Sequence, residues 1–180
     1  VEILILMKTI TIIPARGNSK RLPNKNRMLL DGKPLLVHSI NYAKKNGLDR
    51  IIVSTDCKKI KEIALDNGVE VVDRPIELSG DSNTTVSALK HVLDTLNEEF
   101  ENVILLQVTN PLRPINLVTE ALEKFKSGGY DSLMTVTRNH QKFGKILEEK
   151  FVPFNYEIGQ RSQDLEPLYF ENGLLYITKA

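Results

Sequence analysis

The stretch Ile12–Asn26, IIPARGNSKRLPNKN, joins the end of an apolar, β-rich run to a short basic loop. Together with Arg27 it carries five cations in a segment rich in Gly, Asn, Ser and Pro. Small residues such as Gly17 let backbone N–H groups approach a ligand, and Lys and Arg supply charge for phosphate oxygens. The loop matches neither the Walker A pattern nor the GxGxxG fingerprint. It therefore predicts a strand followed by a polyanion site, with a solvated basic loop as the plainer alternative.

The rest of the chain alternates strand patterns with helix patterns. We predict strands at 8–14, 50–55, 69–72, 103–108 and 132–137, and helices at 35–46, 58–67, 84–100 and 115–126. Such alternation predicts an α/β fold, a Rossmann-like three-layer sandwich with a mainly parallel sheet. Ligands in such folds bind at the carboxyl ends of the strands. Periodicity weakens after Asn139, and Tyr169–Thr178 resembles a strand pair or a turn followed by a strand.

Composition limits the function classes. The 180 residues suit one domain, which we place at 7–180, with a dimerisation excursion at about 139–168. A net charge of only +1 argues against a nucleic-acid binder, so the positive charge of the loop is local. The single cysteine, Cys57, excludes an internal disulfide and suits a reducing, cytoplasmic location. The N-terminal residues predict neither a signal peptide nor a membrane span.

Several polar residues follow the predicted strands, and each has a purely structural alternative. Arg74 precedes Pro75 and could simply form a surface ion pair. Asn83 or Thr84 could cap the next helix. Gln107 lies in a predicted apolar strand, where burying an unpaired amide costs about 1–3 kcal/mol, so it pairs in the core or faces a ligand. The Asn-Gly pair at 172–173 could be only a hairpin turn.

Ordered blocks of the sequence resemble one family, the acylneuraminate cytidylyltransferases. The blocks are IIPARGNSKRLPNKN at 12–26, LDGKPLL at 30–36, RIIVSTD at 50–56, RPIELSGDSNTT at 74–85, LLQVTNPLR at 105–113 and ENGLLYI at 171–177. The resemblance covers nearly the whole chain from Lys8 onward. It implies a homodimeric enzyme of sialic acid biosynthesis that transfers CMP from CTP to a nine-carbon sugar acid and releases pyrophosphate.

The resemblance also implies roles for individual residues. The triphosphate would be held by Arg16, Lys20 and Lys25, with Lys25 at the α-phosphate and Lys20 nearer the departing pyrophosphate. Nucleotide contacts would come from Ala15, Arg16, Gly17, Asn26, Arg74, Asn83 and Thr85. Sugar contacts would come from Gln107, Arg161 and Asn172.

The metal and the substrate remain open in the sequence. The resemblance implies Mg²⁺, but the family's metal-binding Asp pair lies beyond the ENG block, so we expect those ligands after Ala180 and assign none. Some members have an Arg just before the Asn-Gly, where this chain has Phe170-Glu171. The substrate is therefore N-acetylneuraminate or a related nonulosonate of the legionaminate or pseudaminate type. A 3-deoxy-manno-octulosonate cytidylyltransferase and a non-catalytic nucleotide-binding domain are the alternatives.

Overall fold

A computed structural model describes residues 8–19 and 22–180 of the chain. The chain divides into two compact units, one running to Met134 and including Gly173–Ala180, the other spanning Thr135–Asn172. In the described part of the chain, every helix is too short or too polar to cross a membrane.

The order of elements follows the predicted alternation. The strands are β1 (Thr9–Pro14), β2 (Leu29–Leu30), β3 (Lys33–Pro34), β4 (Ile51–Thr55), β5 (Glu70–Asp73), β6 (Asn102–Leu105), β7 (Ser132–Asn139), β8 (Gly144–Leu147), β9 (Lys150–Pro153) and β10 (Leu168–Lys179). The helices are α1 (Leu35–Lys45), α2 (Lys58–Asp66), α3 (Thr85–Leu96) and α4 (Leu117–Ser127). Short 3₁₀ turns occupy Lys25–Arg27, Ile76–Leu78 and Ser162–Asp164.

The main sheet has six strands in the order β5-β4-β1-β6-β10-β7. Strand β1 pairs in parallel with β4 and β6, and β4 pairs in parallel with β5, whereas β10 runs antiparallel to β6. After β1 the chain builds outward on one side through β4 and β5, then returns to the other side as β6. The junction of β1 and β6 is therefore a topological switch point, where open α/β sheets bind ligands.

Alternating side chains of the central strands pack into two hydrophobic layers, one on each face of the sheet. Ile13 and Val53 pack in one layer with residues of α1, α2 and α4. Ile12 and Ile52 point the other way and pack with Val92 of α3. Period-two alternation in the strands and period-3.6 spacing in the helices produce this three-layer arrangement. The predicted α/β fold with a mainly parallel sheet is confirmed.

Some element boundaries differ from the predictions. Strand β6 ends at Leu105 rather than residue 108, which places Gln107 in the loop. Helix α3 ends at Leu96, because Asn97 adopts a left-handed conformation with φ of 48° that closes the helix. The Asn-Gly pair does not form a hairpin turn: β10 continues through it, with φ of 70° at Gly173.

The second unit contains a hairpin that the sequence patterns did not indicate. Strands β8 and β9 pair antiparallel and turn at Glu148 and Glu149, which both have positive φ. This turn normally favours Asn or Gly, so two glutamates gave no recognisable signal.

Candidate active site

A cavity of about 270 Å³ lies at the switch point of the sheet. It is enclosed by the segments that follow β1, β5 and β6 and by the start of α3. Its polar lining residues are Arg16, Lys25, Asn26, Arg74, Asp81, Asn83, Thr84, Thr85, Gln107 and Thr109. Three cations and, among the described residues, one carboxylate line the cavity, so an anionic ligand is favoured electrostatically.

Buried contacts fix the loop after β1. The side chain of Asn26 is 4% exposed and donates from Nδ2 to the carbonyl of Arg16 at 2.8 Å. The amide of Gly17 donates to Oδ1 of Asp56 at 2.8 Å. A Cβ on residue 17 would come within 2.8 Å of the Cβ of Cys57, so this position requires glycine. The loop is thus tied to the carboxyl end of β4.

Arg16 connects the loop after β1 to the loop after β5. Its Nη1 donates to the carbonyl of Gly80 at 3.1 Å, and its Nη2 lies 3.0 Å from Oδ1 of Asp81. Lys25 also lines the cavity, from the 3₁₀ turn at Lys25–Arg27. Two of the three predicted triphosphate ligands are therefore at one site, and Lys20 lies outside the described residues.

Arg74 is buried rather than forming a surface ion pair. Its side chain is 8% exposed; Nε donates to Oγ of Ser54 at 3.0 Å and Nη2 to the carbonyl of Ser54 at 2.7 Å. Burial lowers the pKa of Arg74, the charge of Asp56 raises it, and the charge of Arg16 lowers it further. The two bonds to Ser54 of β4 thus position the guanidinium, and Arg74 also lines the cavity.

The start of α3 combines capping with cavity lining. Oγ1 of Thr84 accepts from the backbone N–H of Ser87 at 3.2 Å, so the predicted cap by Thr84 is correct. Asn83 instead donates from Nδ2 to the carbonyl of Glu77, within the loop before the helix. Both Asn83 and Thr85 line the cavity at the amino end of α3, where the helix dipole favours negative charge.

Gln107 lines the cavity beside the glycine of the Asn-Gly pair. A Cβ on Gly173 would be 2.9 Å from Oε1 of Gln107. Asn110 and Arg113 also hold this region through carbonyls of Gly173 and Leu174, at 2.8 and 2.7 Å. Sequence reasoning assigned no role to Asn110 or Arg113. The available signals were their position in a Pro-containing loop after a buried strand and their place in the LLQVTNPLR block.

The remaining predicted residues do not line this cavity. Ala15 is fully buried in the core, and its amide donates to the carbonyl of Ser54 at 2.9 Å. Gly17 is not among the lining residues and lies beside Asp56 and Cys57. Arg161 and Asn172 belong to the second unit.

Both of these second-unit residues are engaged within their own unit. Arg161 pairs with Asp164 through two hydrogen bonds of 2.7 and 3.1 Å. The amide of Asn172 accepts from Oγ1 of Thr135 at 2.6 Å and donates to Oγ1 of Thr137 at 3.0 Å.

The described residues do not form a metal centre of their own. No group of three or more His, Cys, Asp or Glu side chains among them could hold an ion. Asp81, the described carboxylate that lines the cavity, is already paired with Arg16. This donor set does not fit a protein-built Mg²⁺ site, and we derive no step through a metal.

A cationic cavity at the switch point of a parallel sheet places the chain among the nucleotide-binding α/β proteins. More specifically, the chain belongs to the cytidylyltransferase family, whose model matches residues 10–177. It is 39% identical over 180 residues to an N-acylneuraminate cytidylyltransferase from Streptococcus agalactiae, covering 96% of this chain and 43% of that protein. It is 34% identical over 197 residues to a CMP-N,N'-diacetyllegionaminic acid synthase from Legionella pneumophila, covering 97% of this chain and 79% of that protein. The chain thus spans less than half the length of the streptococcal relative.

A solved structure shares the fold. The synthetase for CMP-2-keto-3-deoxy-manno-octonic acid, complexed with CTP, aligns with a TM-score of 0.72 over 96% of this chain and 74% of that one. At 18% identity this likeness concerns the fold alone.

Proposed function

We propose that this protein transfers CMP from CTP to the anomeric hydroxyl of a nine-carbon, sialic-acid-like sugar acid. The observation that carries the proposal is the cavity itself. The segments after β1, β5 and β6 bring Arg16, Lys25 and Arg74 together with the amides of Asn83 and Gln107 at the switch point. Membership of the cytidylyltransferase family and the names of the relatives support the same activity.

In the proposed reaction, the anomeric oxygen forms a bond to the α-phosphorus of CTP. The bond from that phosphorus to the bridging oxygen of the β-phosphate breaks, pyrophosphate leaves, and the hydroxyl proton is released. Such a transfer depends on positioning and on preorganised positive charge rather than on covalent catalysis.

The basic loop supplies that charge. We assign Lys25 to the α-phosphate and Arg16 to the triphosphate, because both line the cavity and both belong to the signature block. Lys20 keeps its proposed place nearer the departing pyrophosphate. The hydrogen bond from Asn26 to the carbonyl of Arg16 supports this assignment, since it orients the loop before substrate arrives.

The cytidine is proposed to lie against the opposite wall. Arg74, Asn83 and Thr85 would contact the base, ribose or phosphates directly from the cavity surface. Ala15 and Gly17 would act through their backbone, since Ala15 is buried and Gly17 has no room for a side chain.

The sugar acid is proposed to contact Gln107, Arg161 and Asn172. Gln107 has the strongest support because its amide lines the cavity. Arg161 would bind the carboxylate of the substrate by exchanging its pairing with Asp164, which is energetically modest for so exposed an ion pair. Asn172 would offer a side-chain amide that its bonds to β7 hold in a fixed orientation.

Mg²⁺ is part of the proposal because a divalent cation neutralises the phosphate oxygens of a nucleoside triphosphate. Mg²⁺ commonly keeps several waters and binds through one or two carboxylates plus phosphates, so the described residues need not supply a cage. We assign it no ligand here. Loss of turnover on chelation, restored by added Mg²⁺, is the expected result.

We further propose a cytoplasmic homodimer that forms through the second unit. Its hairpin and the residues that flank it expose large apolar side chains: Phe143, Ile146, Leu147, Phe151, Phe154 and Ile158, with Ile146 at 70% and Ile158 at 88%. Many exposed apolar side chains in one unit favour a protein interface there. Light scattering should give twice the monomer mass for the unchanged protein and the monomer mass for Ile146→Asp. A monomeric unchanged protein would refute the dimer.

The test of function is pyrophosphate release. The protein in its natural length is incubated with CTP, Mg²⁺ and one acid at a time. The acids are N-acetylneuraminate, a legionaminate, a pseudaminate and 3-deoxy-manno-octulosonate. Release with a nine-carbon acid, and not when ATP, GTP or UTP replaces CTP, is expected. Release only with the octulosonate would overturn the substrate class, and CTP binding without turnover would leave a non-catalytic nucleotide-binding protein.

A further inference from the structure

Arg113 is a buried cation whose contacts lie within the wall of the cavity rather than in its open space. Its side chain is 8% exposed. Nε donates to the carbonyl of Leu174 at 2.7 Å, Nη1 to Oγ of Ser39 at 3.1 Å, and Nη2 to the carbonyl of Gln107 at 2.5 Å. The guanidinium carbon also lies 5.5 Å from the ring centroid of Tyr42.

Burying the guanidinium carries a desolvation cost, which argues that Arg113 does more than fill space. Burial lowers the pKa of Arg113 to about 10, so the group remains a desolvated cation at neutral pH. Its described partners are neutral: two carbonyls, a hydroxyl and an aromatic ring. An apolar side chain would fill the same space without that desolvation cost. The feature that only Arg supplies is a rigid fork of donors that joins three separate segments.

Asn110 provides a second link between two of these segments, the loop after β6 and strand β10. Nδ2 of Asn110 donates to the carbonyl of Gly173 at 2.8 Å, directly before the carbonyl that Arg113 uses. Gly173 has φ of 70° and no side chain, and the amide of Gln107 packs against its Cα. The carbonyl of Gln107 is thus held by Arg113. The absence of a side chain at Gly173 leaves the space that the Gln107 amide occupies.

We propose that Arg113 and Asn110 are positioning residues that lock the loop after β6 to strand β10 and so fix the Gln107 amide where the sugar acid binds. This inference rests on the proposed function. Gln107 is among the described residues that line the cavity, whereas Arg113 and Asn110 are not, so we assign them a role that acts through Gln107. The proposed nucleotide side of the cavity is formed by the loops after β1 and β5, and the hydrogen bonds of Arg113 and Asn110 described above go to other segments.

The proposal predicts a split between the two substrates. In Arg113→Lys a single ammonium cannot reach all three acceptors, and the Gln107 loop loosens. The KM for the sugar acid should rise about tenfold or more, whereas the KM for CTP should change less than about twofold, because only one substrate loses its contact. Asn110→Ala should give the same pattern. Arg50→Lys, a change at a surface ion pair, is the matched control and should alter neither KM.

Gly173→Ala is a second test of how the Gln107 side-chain amide is positioned. The new Cβ would lie 2.9 Å from Oε1 of Gln107 and 3.0 Å from Nδ2 of Asn110. Both atoms are ends of side chains that can move, so the Gln107 amide should be displaced. The φ of 70° adds backbone strain for alanine, so this variant is assayed only where thermal unfolding shows that it folds. The KM for the sugar acid should again rise with little change for CTP.

The outcomes separate the inference from the function on which it rests. All assays use the protein in its natural length, with thermal unfolding to verify that each variant folds. No turnover by the unchanged protein with any acid would overturn the proposed function and the positioning role with it. Turnover by the unchanged protein, with a sugar-acid KM unaltered in folded Arg113→Lys or a proportional rise in both KM values, would overturn the positioning role alone. Should Arg113→Lys fail to fold, Asn110→Ala decides the matter by the same criteria.

Discussion

Replacing Arg74 with methionine distinguishes a buried structural arginine from an exposed one. Methionine keeps the length and apolar character of the side chain but removes both bonds to Ser54, one of 3.0 Å to Oγ and one of 2.7 Å to the carbonyl. The carbonyl of Ser54 retains the amide of Ala15 at 2.9 Å, whereas Oγ loses its guanidinium donor inside a fully buried residue.

The magnitude follows from these contacts. Each hydrogen bond from a charged donor contributes about 1.5–3 kcal/mol to the free energy of unfolding. Methionine also removes the desolvation penalty of the buried guanidinium, which offsets part of that loss. We expect a net loss of about 2–3 kcal/mol in the free energy of unfolding, which corresponds to a fall of about 4–12 °C in Tm for a domain of this size. Arg50→Met, which breaks partly exposed ion pairs with Glu70 and Glu98, should cost about 1 kcal/mol or less.

The assay is urea unfolding followed by circular dichroism, with CTP binding measured by calorimetry on the same samples. CTP affinity should fall in Arg74→Met and remain unchanged in Arg50→Met. A loss of less than about 0.5 kcal/mol for Arg74→Met would refute the reasoning, because that is the range of an ordinary surface substitution.

Three further outcomes follow from the site and the sheet. Lys25→Ala should reduce kcat about 100-fold or more, because the proposed electrostatic contact to the α-phosphate is lost. Gly17→Ala should weaken CTP binding in calorimetry, because the new Cβ would stand 2.8 Å from the Cβ of Cys57 and displace the loop. The hydrogen bond and charge of Lys179 lower the pKa of Asp131, so its carboxyl should titrate by NMR below its ordinary value and return toward it in Lys179→Met. A carboxyl with a lowered folded pKa stabilises the fold above its unfolded pKa, and that contribution disappears as pH falls through the folded pKa.

Each of these outcomes has a control that isolates its cause. Lys59, exposed on α2, should tolerate the change to Ala with normal turnover, and near-normal turnover of Lys25→Ala would contradict the catalytic role proposed for Lys25. Adding Cys57→Gly to Gly17→Ala should recover CTP affinity by removing the clash; an unrelieved double variant would contradict that cause. An unchanged Asp131 titration in Lys179→Met would contradict the pairing.

The sequence predicts the fold well because its signals are local and repeated. Glycines with positive φ, Gly47 and Gly68, follow the ends of α1 and α2, where the sequence places the stops. Alternating apolar residues such as Ile12 and Ile13 point to opposite layers of the core. These features depend on neighbours along the chain, which the sequence displays directly.

The site is only partly visible in the sequence because its contacts are long-range. The loop after β1 is recognisable from its cations, yet nothing local shows that Arg74 is buried against Ser54, twenty residues away. Arg113 reaches Leu174 over 61 positions and Ser39 over 74, and no periodic pattern records such pairings. Arginine is usually exposed, so the sequence alone predicts exposed side chains for Arg74 and Arg113, whereas both are buried.

The second unit begins and ends at one place. Thr135 and Asn172, its first and last residues, share a hydrogen bond of 2.6 Å from the hydroxyl to the amide oxygen. Evolution can lengthen, shorten or exchange a segment whose two ends already meet without re-registering the strands that lead into it. The segment between these two positions can therefore change in length or sequence without shifting the ends of β7 and β10 that it joins.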